Sequence, residues 1–557
     1  MGWNSAYLEW IEGSTFEPVF VLEFVDGTSY GATGVGQSYK IASHPGVYGA
    51  DEVKIAEGGI KTGSCSVTPG TWNYTAGAWS VTLAGGVGPM LNAVTRGSLA
   101  RLRIFRSIAD ASSGMAGTGM TIALGVLQNV SGRPPTYTLS FWDIIQSLAG
   151  RRDTQPWDNP DDKVPLFWET EEWTLIATQF TGGDARLFVS SVDHFIPTTT
   201  GEAVAKVVPA SGDPYYVAYQ TINSSGSPYL TDLTEGIHDT TTVTGNVGDY
   251  VYPLPYLYGH VDDILRRILT STGTGANGSH DVYPASWGFG IPYTWIDESD
   301  MQTWADAIFD LDASGTTSTQ FWSTIIDAPI ENAASWLSGW LAAAGVWLVT
   351  RQGEISIRCA QNPTGEPLLN DVAEESPTAT VEAEPVESGI TITNSDISEI
   401  ISHDLFDPSC PAETVRYMVN YWDTDATVDQ SEDPIRAGVS PLSHAVTTFP
   451  AVSTTFNDLS DRLFSAGKDK ARGAAYRLGL WTERVPEKIK LRCGGLRLSQ
   501  LVPGDLVRLT TDQIVGRPDP RAGFYTRRVC MVTSVSIEWT RPSVQLTLSV
   551  LPTQKGI

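Results

Sequence analysis

With 557 residues, 41% of them hydrophobic and 10% aromatic, the chain is too long for one core and too apolar for a disordered protein, so several domains are expected. Its 36 Lys and Arg stand against 63 Asp and Glu, a net charge of −27 with no basic run to neutralise a phosphate backbone, which argues against sequence-specific nucleic-acid binding. Charged residues are only 18%, while 53 Gly and 33 Pro punctuate the chain, a balance that favours short strands joined by turns.

Met1 to Trp10 lacks the basic and apolar regions of a secretory signal, and Ala6 stands where a myristoylation motif needs Ser or Thr. The most apolar stretch, Trp336 to Val349, is broken by Ser338, Gly339 and Gly345 and falls short of the ~20 residues that span a bilayer, so a soluble chain is expected. Cys65, Cys359, Cys410, Cys493 and Cys530 are scattered and form no Cys-x-x-Cys pair, which reads as buried, reduced thiols.

In chain order, Val19 to Val25 is an apolar run ending at the hairpin signal Asp26-Gly27, and Leu99 to Phe105 sets Leu102 and Ile104 among Arg101 and Arg103. Both read as strands of one barrel or sandwich. From Phe141 to Leu148 the spacing turns helical and stops at Gly150, with Ser140 as N-cap, so residues 1–152 predict an N-terminal β-barrel closed by a short helix. Residues 153–259 carry brief apolar pieces, Leu187–Val189 and Tyr215–Val217, in Pro-, Asp-, Thr-, Ser- and Gly-rich surroundings, and read as an irregular β insertion or arm.

Val261, Ile264, Leu265, Ile268 and Leu269 then form one helical face, with Asp262, Asp263, Arg266 and Arg267 on the other. Further helices are expected at Met301 to Phe309 and at Trp336 to Ala344, the second stopped by Gly345, and Val346–Thr350 with Glu354–Arg358 predicts a hairpin around Gly353. Residues 260–364 thus predict a small α/β domain, 365–387 an acidic linker, and 388–557 a C-terminal β-barrel. In the last, Val415, Tyr417, Val419 and Tyr421 alternate with their neighbours, and a long helix covers 458–478 with Leu459, Leu463, Ala471, Ala474 and Leu478 on its apolar face. Val535–Trp539 and Val544–Val550 alternate around a turn and give the clearest hairpin. The expected class is a β-rich multidomain α+β protein, two β-barrel-like domains flanking a β insertion and a small α/β domain.

Residues that could carry chemistry are few. Gly273 to Gly278 matches G-x-G-x-x-G but follows a helix and opens none, so it reads as a loop. Asp310 to Gly315 imitates half a calcium loop, yet Phe321 stands where the bidentate Glu belongs, and the acidic run from Tyr421 to Asp433 reads as a solvated loop. His44, His194, His238, His260, His280, His403 and His444 show no metal spacing, and Cys410, between Ser409 and Pro411, reads as an inert thiol despite nearby His403. Carboxylate pairs for glycoside hydrolysis are too numerous to choose among. Trp336, Trp340 and Trp539 lie on apolar stripes, whereas Trp72, Trp79, Trp157 and Trp173 sit in polar surroundings suited to stacking on sugars. No catalytic, cofactor-binding or metal-ligating residue is nominated.

The order of elements resembles that of tail-hub or baseplate-hub proteins of tailed bacteriophages. The segments that carry the resemblance are Phe141–Leu148 after a β-unit, Val261–Leu269, Trp336–Gly345 running into the hairpin that ends Gly353–Arg358, then Leu501–Leu509 and the Val535–Val550 hairpin. The resemblance leaves 153–258 uncovered. It implies a non-enzymatic virion protein of the tail tip, assembled in the host cytoplasm. It also implies a homotrimer whose two related barrels per copy match the sixfold tail tube or distal-tail ring to threefold tip or fibre proteins. Such a trimer lines a channel for DNA ejection and meets the tape measure protein. The cysteines lack the clustering needed for an iron–sulfur cluster. Alternatives are a distal-tail protein, a receptor- or carbohydrate-binding tail protein using exposed Trp, and a cell-wall hydrolase. Two further expectations follow, that the two β-rich ends fold alike and that the channel wall is neutral or acidic.

Overall fold

The computed structural model describes residues 18–147, 173–259, 261–270, 289–309, 322–325, 337–360, 387–405 and 487–551, apart from short breaks within them, together with four two-residue strands. No helix among them is long and apolar enough to cross a membrane.

The first unit contains β1 (Val19–Val25), β2 (Gln37–Ala42), β3 (Lys54–Thr62), β4 (Cys65–Val67), β5 (Tyr74–Thr75), β6 (Trp79–Ala84), β7 (Leu99–Phe105), β8 (Met120–Arg133) and β9 (Thr136–Asp143). Seven of them close a barrel in the order β1-β2-β3-β6-β9-β8-β7. Period-two alternation explains which face is filled: Leu22, Phe24, Val81, Leu83, Leu102, Ile104, Leu139 and Phe141 point into one core. Their neighbours Val19, Val21 and Phe105 meet Ala42, Val47 and Ala111 outside it, the last from helix α1 (Ile108–Ser112). Glu23 also faces outward, yet it is buried, because the cross-strand neighbours Arg101 and Lys40 on either side and nearby Arg103 surround its carboxylate at 2.5, 4.0 and 3.5 Å.

After α2 (Ile144–Ser147) come β10 (Thr174–Leu175), β11 (Arg186–Phe188), β12 (Ala203–Val208), β13 (Tyr215–Tyr219), β14 (Thr221–Asn223), β15 (Tyr229–Thr231), β16 (Thr234–Ile237) and β17 (Tyr250–Leu254). They form a five-stranded sheet, β10-β17-β12-β13-β16, and a three-stranded one, β11-β15-β14, around a core that includes Phe180, Leu187, Ala205, Val217 and Val251. Next, β18 (Tyr256–Gly259) pairs with β19 (Trp322–Ile325), α3 (Val261–Thr270) packs on α4 (Glu298–Phe309), and β20 (Val346–Arg351) pairs with β21 (Glu354–Cys359). Short pairs join β22 (Leu368–Leu369) to β23 (Ala379–Thr380) and β26 (Arg416–Tyr417) to β27 (Ile435–Arg436). The last unit holds β24 (Glu387–Thr393), β25 (Ile397–Asp404), β28 (Glu487–Gly494), β29 (Leu506–Thr511), β30 (Tyr525–Glu538) and β31 (Ser543–Val550), in the order β24-β29-β30-β31-β28-β25. Among the described residues no ladder joins β24 to β25, so this sheet is an open path where a barrel was expected.

The two end units share a plan. β3-β6-β9-β8-β7 and β25-β28-β31-β30-β29 are antiparallel at every step and run in the same chain order. Their central hairpins also agree in register. Gly125↔Asp143, Leu127↔Phe141, Asn129↔Ser140 and Arg133↔Thr136 in one are matched by Cys530↔Val550, Val532↔Leu548, Ser534↔Thr547 and Glu538↔Ser543 in the other. Each long strand carries a bulge at the same place, with Gln128 and Thr533 as the extra residues. Gly97-Ser98-Leu99-Ala100-Arg101-Leu102 recurs as Gly504-Asp505-Leu506-Val507-Arg508-Leu509, and each leucine–arginine pair meets its long strand in the same register. The outer strands differ: β1 joins β7 antiparallel, β24 joins β29 parallel. The units are in direct contact, because β4 pairs with β30 and their apolar faces belong to one continuous core.

Several expectations need correction. Phe141, Trp142 and Asp143 are the end of β9, because pairing with β6 and β8 outweighs their helical spacing; the helix is the single turn α2. Its cap is accordingly Asp143, whose Oδ1 accepts the Ile145 amide at 2.8 Å, rather than Ser140. The polar side of α3 is as expected, and two of its residues, Asp262 and Arg266, are buried and paired with each other. The 337–339 and 341–342 stretches are helical before Gly345, whose φ is 69°. The 458–478 helix, Cys410, the 273–278 and 310–315 loops and most of 415–433 lie outside the described residues.

Candidate functional site

The feature that organises the molecule is the buried joint where β20–β21, α4 and the second unit's β29 corner meet the first unit. At its centre Arg358 on β21 is fully buried. Its Nε donates to Asp505 Oδ1 at 2.8 Å and its Nη1 to Asp300 Oδ2 at 2.7 Å, and the guanidinium lies 4.5 Å from the Trp304 ring centroid. Asp300 also accepts from the Ser356 hydroxyl at 2.7 Å and from Arg351 at 3.2 Å. Burial alone would raise its carboxyl, but Arg358 and then Ser356 and Arg351 hold it below the ordinary carboxylate range. Asp505 turns its other oxygen to the Val502 amide at 3.0 Å, fixing the corner that leads into β29.

A second layer is aromatic. Trp347 on β20 donates its indole N–H to Pro503 O at 3.1 Å and stacks on Trp72, centroids 5.6 Å apart with 7° between planes. Trp72 comes from the β4–β5 connection of the first unit, so one ring pair ties three parts of the chain. At the rim, Asp143 accepts from Thr350 Oγ1 at 3.2 Å, and burial raises its pKa to about 7 against the pull of these hydrogen bonds.

The joint binds parts of the protein to one another and offers little to a substrate. A cavity of about 100 Å³ lies between the units, lined by Cys65, Asp143, Thr350, Gln500 and Trp539 among others, enough for a few waters. Burial pushes the Cys493 and Cys530 thiols up to about 12 and raises Cys65, so these thiols are poor nucleophiles. Among the described residues no group of three or more His, Cys, Asp or Glu side chains is placed to hold a metal ion. His403 shares Glu487 Oε2 with the Tyr525 hydroxyl, at 3.1 Å from its own Nε2, and this trio bridges β25, β28 and β30.

The tryptophans singled out for sugar stacking separate. Trp72 and Trp79 are buried, Trp79 stacking on Phe141 at 3.9 Å and donating to Leu124 O, which corrects the surface reading for both. Trp173 is 44% exposed, edge-on to the 43% exposed Tyr250 at 4.9 Å, with Tyr252 stacked beyond. Trp157 lies outside the described residues. Arg358, Asp300 and Asp505 escaped the sequence reading because 58 positions separate Arg358 from Asp300 and 147 separate it from Asp505.

Fold and joint together define a mainly antiparallel β protein with a repeated five-strand unit. No protein-family model matches the chain, and no curated protein matches it. Among solved structures it is similar to a chain from the virion of a native gene transfer agent particle, at 12% identity over 45% of this chain and 84% of that one, with a TM-score of 0.18. It is also similar to the 43 kDa tail protein of prophage MuSo2 from Shewanella oneidensis, at 10% identity over 95% and 98%, with a TM-score of 0.32. At these scores neither likeness bears on what the chain does.

Proposed function

We propose that the chain is a non-enzymatic structural protein of a phage-like tail tip, a homotrimeric hub between a sixfold tube or distal-tail ring and threefold tip or fibre proteins. The observation that carries this reading is the repeated five-strand unit with matched register: two like units per copy give a trimer six like units, which is what a threefold object needs to meet a sixfold one. The buried joint suits the role, since Arg358 ties β21 to α4 and to the second unit while Trp347 and Thr350 of the paired strand contact Trp72 and Asp143 of the first. Each copy carries a net charge of −27, so a channel through the trimer has a neutral or acidic wall that lets DNA and a tape measure protein pass without adhering. The test is the mass of the purified chain in solution together with an averaged electron-microscopic image. A trimer with six like lobes around a pore is expected, and a monomer or a dimer refutes the reading.

A second reading has its own observation. Exposed Trp173 and Tyr250, with part-buried Tyr252 beyond, form an aromatic cluster of the type that meets sugar rings, which suits a receptor-binding tail protein. Binding of host cell-wall oligosaccharide that is lost in Trp173→Ala supports it, and wild-type binding unchanged by that variant removes it.

A further inference from the structure

Residues 173–254 hold eight Asp and Glu but two basic residues, Arg186 and Lys206. Each of these cations lies over a tyrosine ring, Arg186 4.6 Å from the Tyr229 centroid and Lys206 Nζ 6.0 Å from that of Tyr216. They face outward on opposite sheets. Arg186 precedes the core residue Leu187 on β11, and Lys206 stands between the core residues Ala205 and Val207 on β12. The Lys206 face is the one that also bears the exposed aromatic rings. Lys206 is directly opposite Tyr252 of β17 on one side and Tyr216 of β13 on the other, a placement that brings Cβ atoms within ~5 Å. Tyr250, two residues before Tyr252 and on the same face, stacks on it at 6.2 Å with 27° between planes, and Trp173 meets Tyr250 edge-on at 4.9 Å. One sheet face thus carries a column of three rings, Trp173 and Tyr250 exposed, that ends beside an ammonium group.

We infer that this face binds an acidic sugar, with Trp173, Tyr250 and Tyr252 packed against the saccharide ring and Lys206 Nζ donating to its carboxylate. Aromatic rings cover the C–H face of a pyranose, and an ammonium bonds an anion about twice as strongly as a neutral hydroxyl. The charge of the surroundings narrows the choice of anion. Eight carboxylates against two cations repel a nucleic acid, which carries a charge on every phosphate. They also oppose a phosphate monoester, with a charge of about −2, more than a singly charged carboxylate. The inference rests on the sugar-binding reading above and adds which sugars are selected and by which residue.

The experiment is calorimetric titration of the full chain with a galacturonate tetrasaccharide and with the same oligomer after methyl esterification, which keeps the rings and removes the charge. The acid form should bind about tenfold more tightly than the ester. Lys206→Gln should weaken binding of the acid about tenfold, to the level of the ester, and leave the ester unchanged; Trp173→Ala should weaken both. Arg186→Gln removes the same charge from the opposite sheet and should change neither. Equal binding of the two forms, or a Lys206→Gln variant that keeps the preference, overturns the inference and leaves the sugar-binding reading standing. A loss in Arg186→Gln as large as in Lys206→Gln overturns it too, since net charge and not this face then decides. A tetraglutamate peptide or a phosphorylated tetrasaccharide that binds as tightly as the galacturonate overturns the choice of ligand. If neither galacturonate form binds, the inference fails, and the sugar-binding reading fails with it when host cell-wall oligosaccharide is not bound either.

Discussion

Replacing Arg358 by Met tests whether the joint is held by charge. Methionine fills much of the arginine's volume, so the cavity contribution is small, but among the described residues Asp505 loses its charged partner and Asp300 keeps the more distant Arg351. Both carboxylates are buried, and removing one member of a buried ion cluster costs about 3–5 kcal/mol. With a urea slope of about 3 kcal/mol/M for a large cooperative unit, the midpoint should fall by ~1–1.5 M. Tryptophan fluorescence is the assay, because Trp304 lies against the guanidinium and Trp347 one strand away. The pH dependence separates charge from packing. In the wild type Asp300 titrates below its unfolded value, so its contribution is present above ~4 and is lost as pH falls through the folded pKa. In the variant burial of Asp300 acts unopposed by Arg358, its carboxyl takes up a proton more readily, and the difference from wild type should shrink as pH falls from 7 toward ~4. A loss under ~1 kcal/mol, or one equal at both pH values, would refute the reasoning.

Asp143→Asn should flatten the pH dependence of stability. The folded pKa of about 7 exceeds the unfolded ~3.9, so the native state binds the extra proton between those values and wild-type stability falls as pH rises through that window; the Asn variant, still able to cap Ile145, should match wild type near pH 4 and exceed it at pH 8 in thermal melts. Gly125→Ala should cost about 1–3 kcal/mol, since its Cβ would stand 2.0 Å from Trp142 O and 2.7 Å from Trp79 Nε1; the second unit carries Cys530 at the matching position, with Ile489 where the first has Trp79. Gly504→Ala should be at least as costly, the residue having φ +110° and Arg358 Cβ 2.6 Å from the new methyl; unchanged midpoints for either glycine variant would show that neighbouring backbone yields more easily than the packing implies.

What the sequence determined by itself was local. A short apolar run placed β1, a hairpin signal placed β20–β21, alternation placed β7 and the β30–β31 hairpin, and the 3.6 period placed α3, because each pattern is written into a run of a few residues whose buried face is the same in any compact context. Tertiary structure decided wherever distant partners outbid a local preference. Phe141 to Asp143 have helical spacing but lie between β6 and β8, whose ladders satisfy their backbone, so they extend as strand. Trp72 and Trp79 have polar neighbours in sequence and aromatic ones in space, Trp347 and Phe141. The clearest trace of the duplication in the chain is Gly97–Leu102 against Gly504–Leu509, identical at four of six positions, while the register and both bulges persisted, since pairing geometry constrains backbone and accepts many side chains of suitable size and polarity. The joint was least legible of all: Asp300, Arg358 and Asp505 are ordinary charged residues until the fold removes their water, and only then does each require the others.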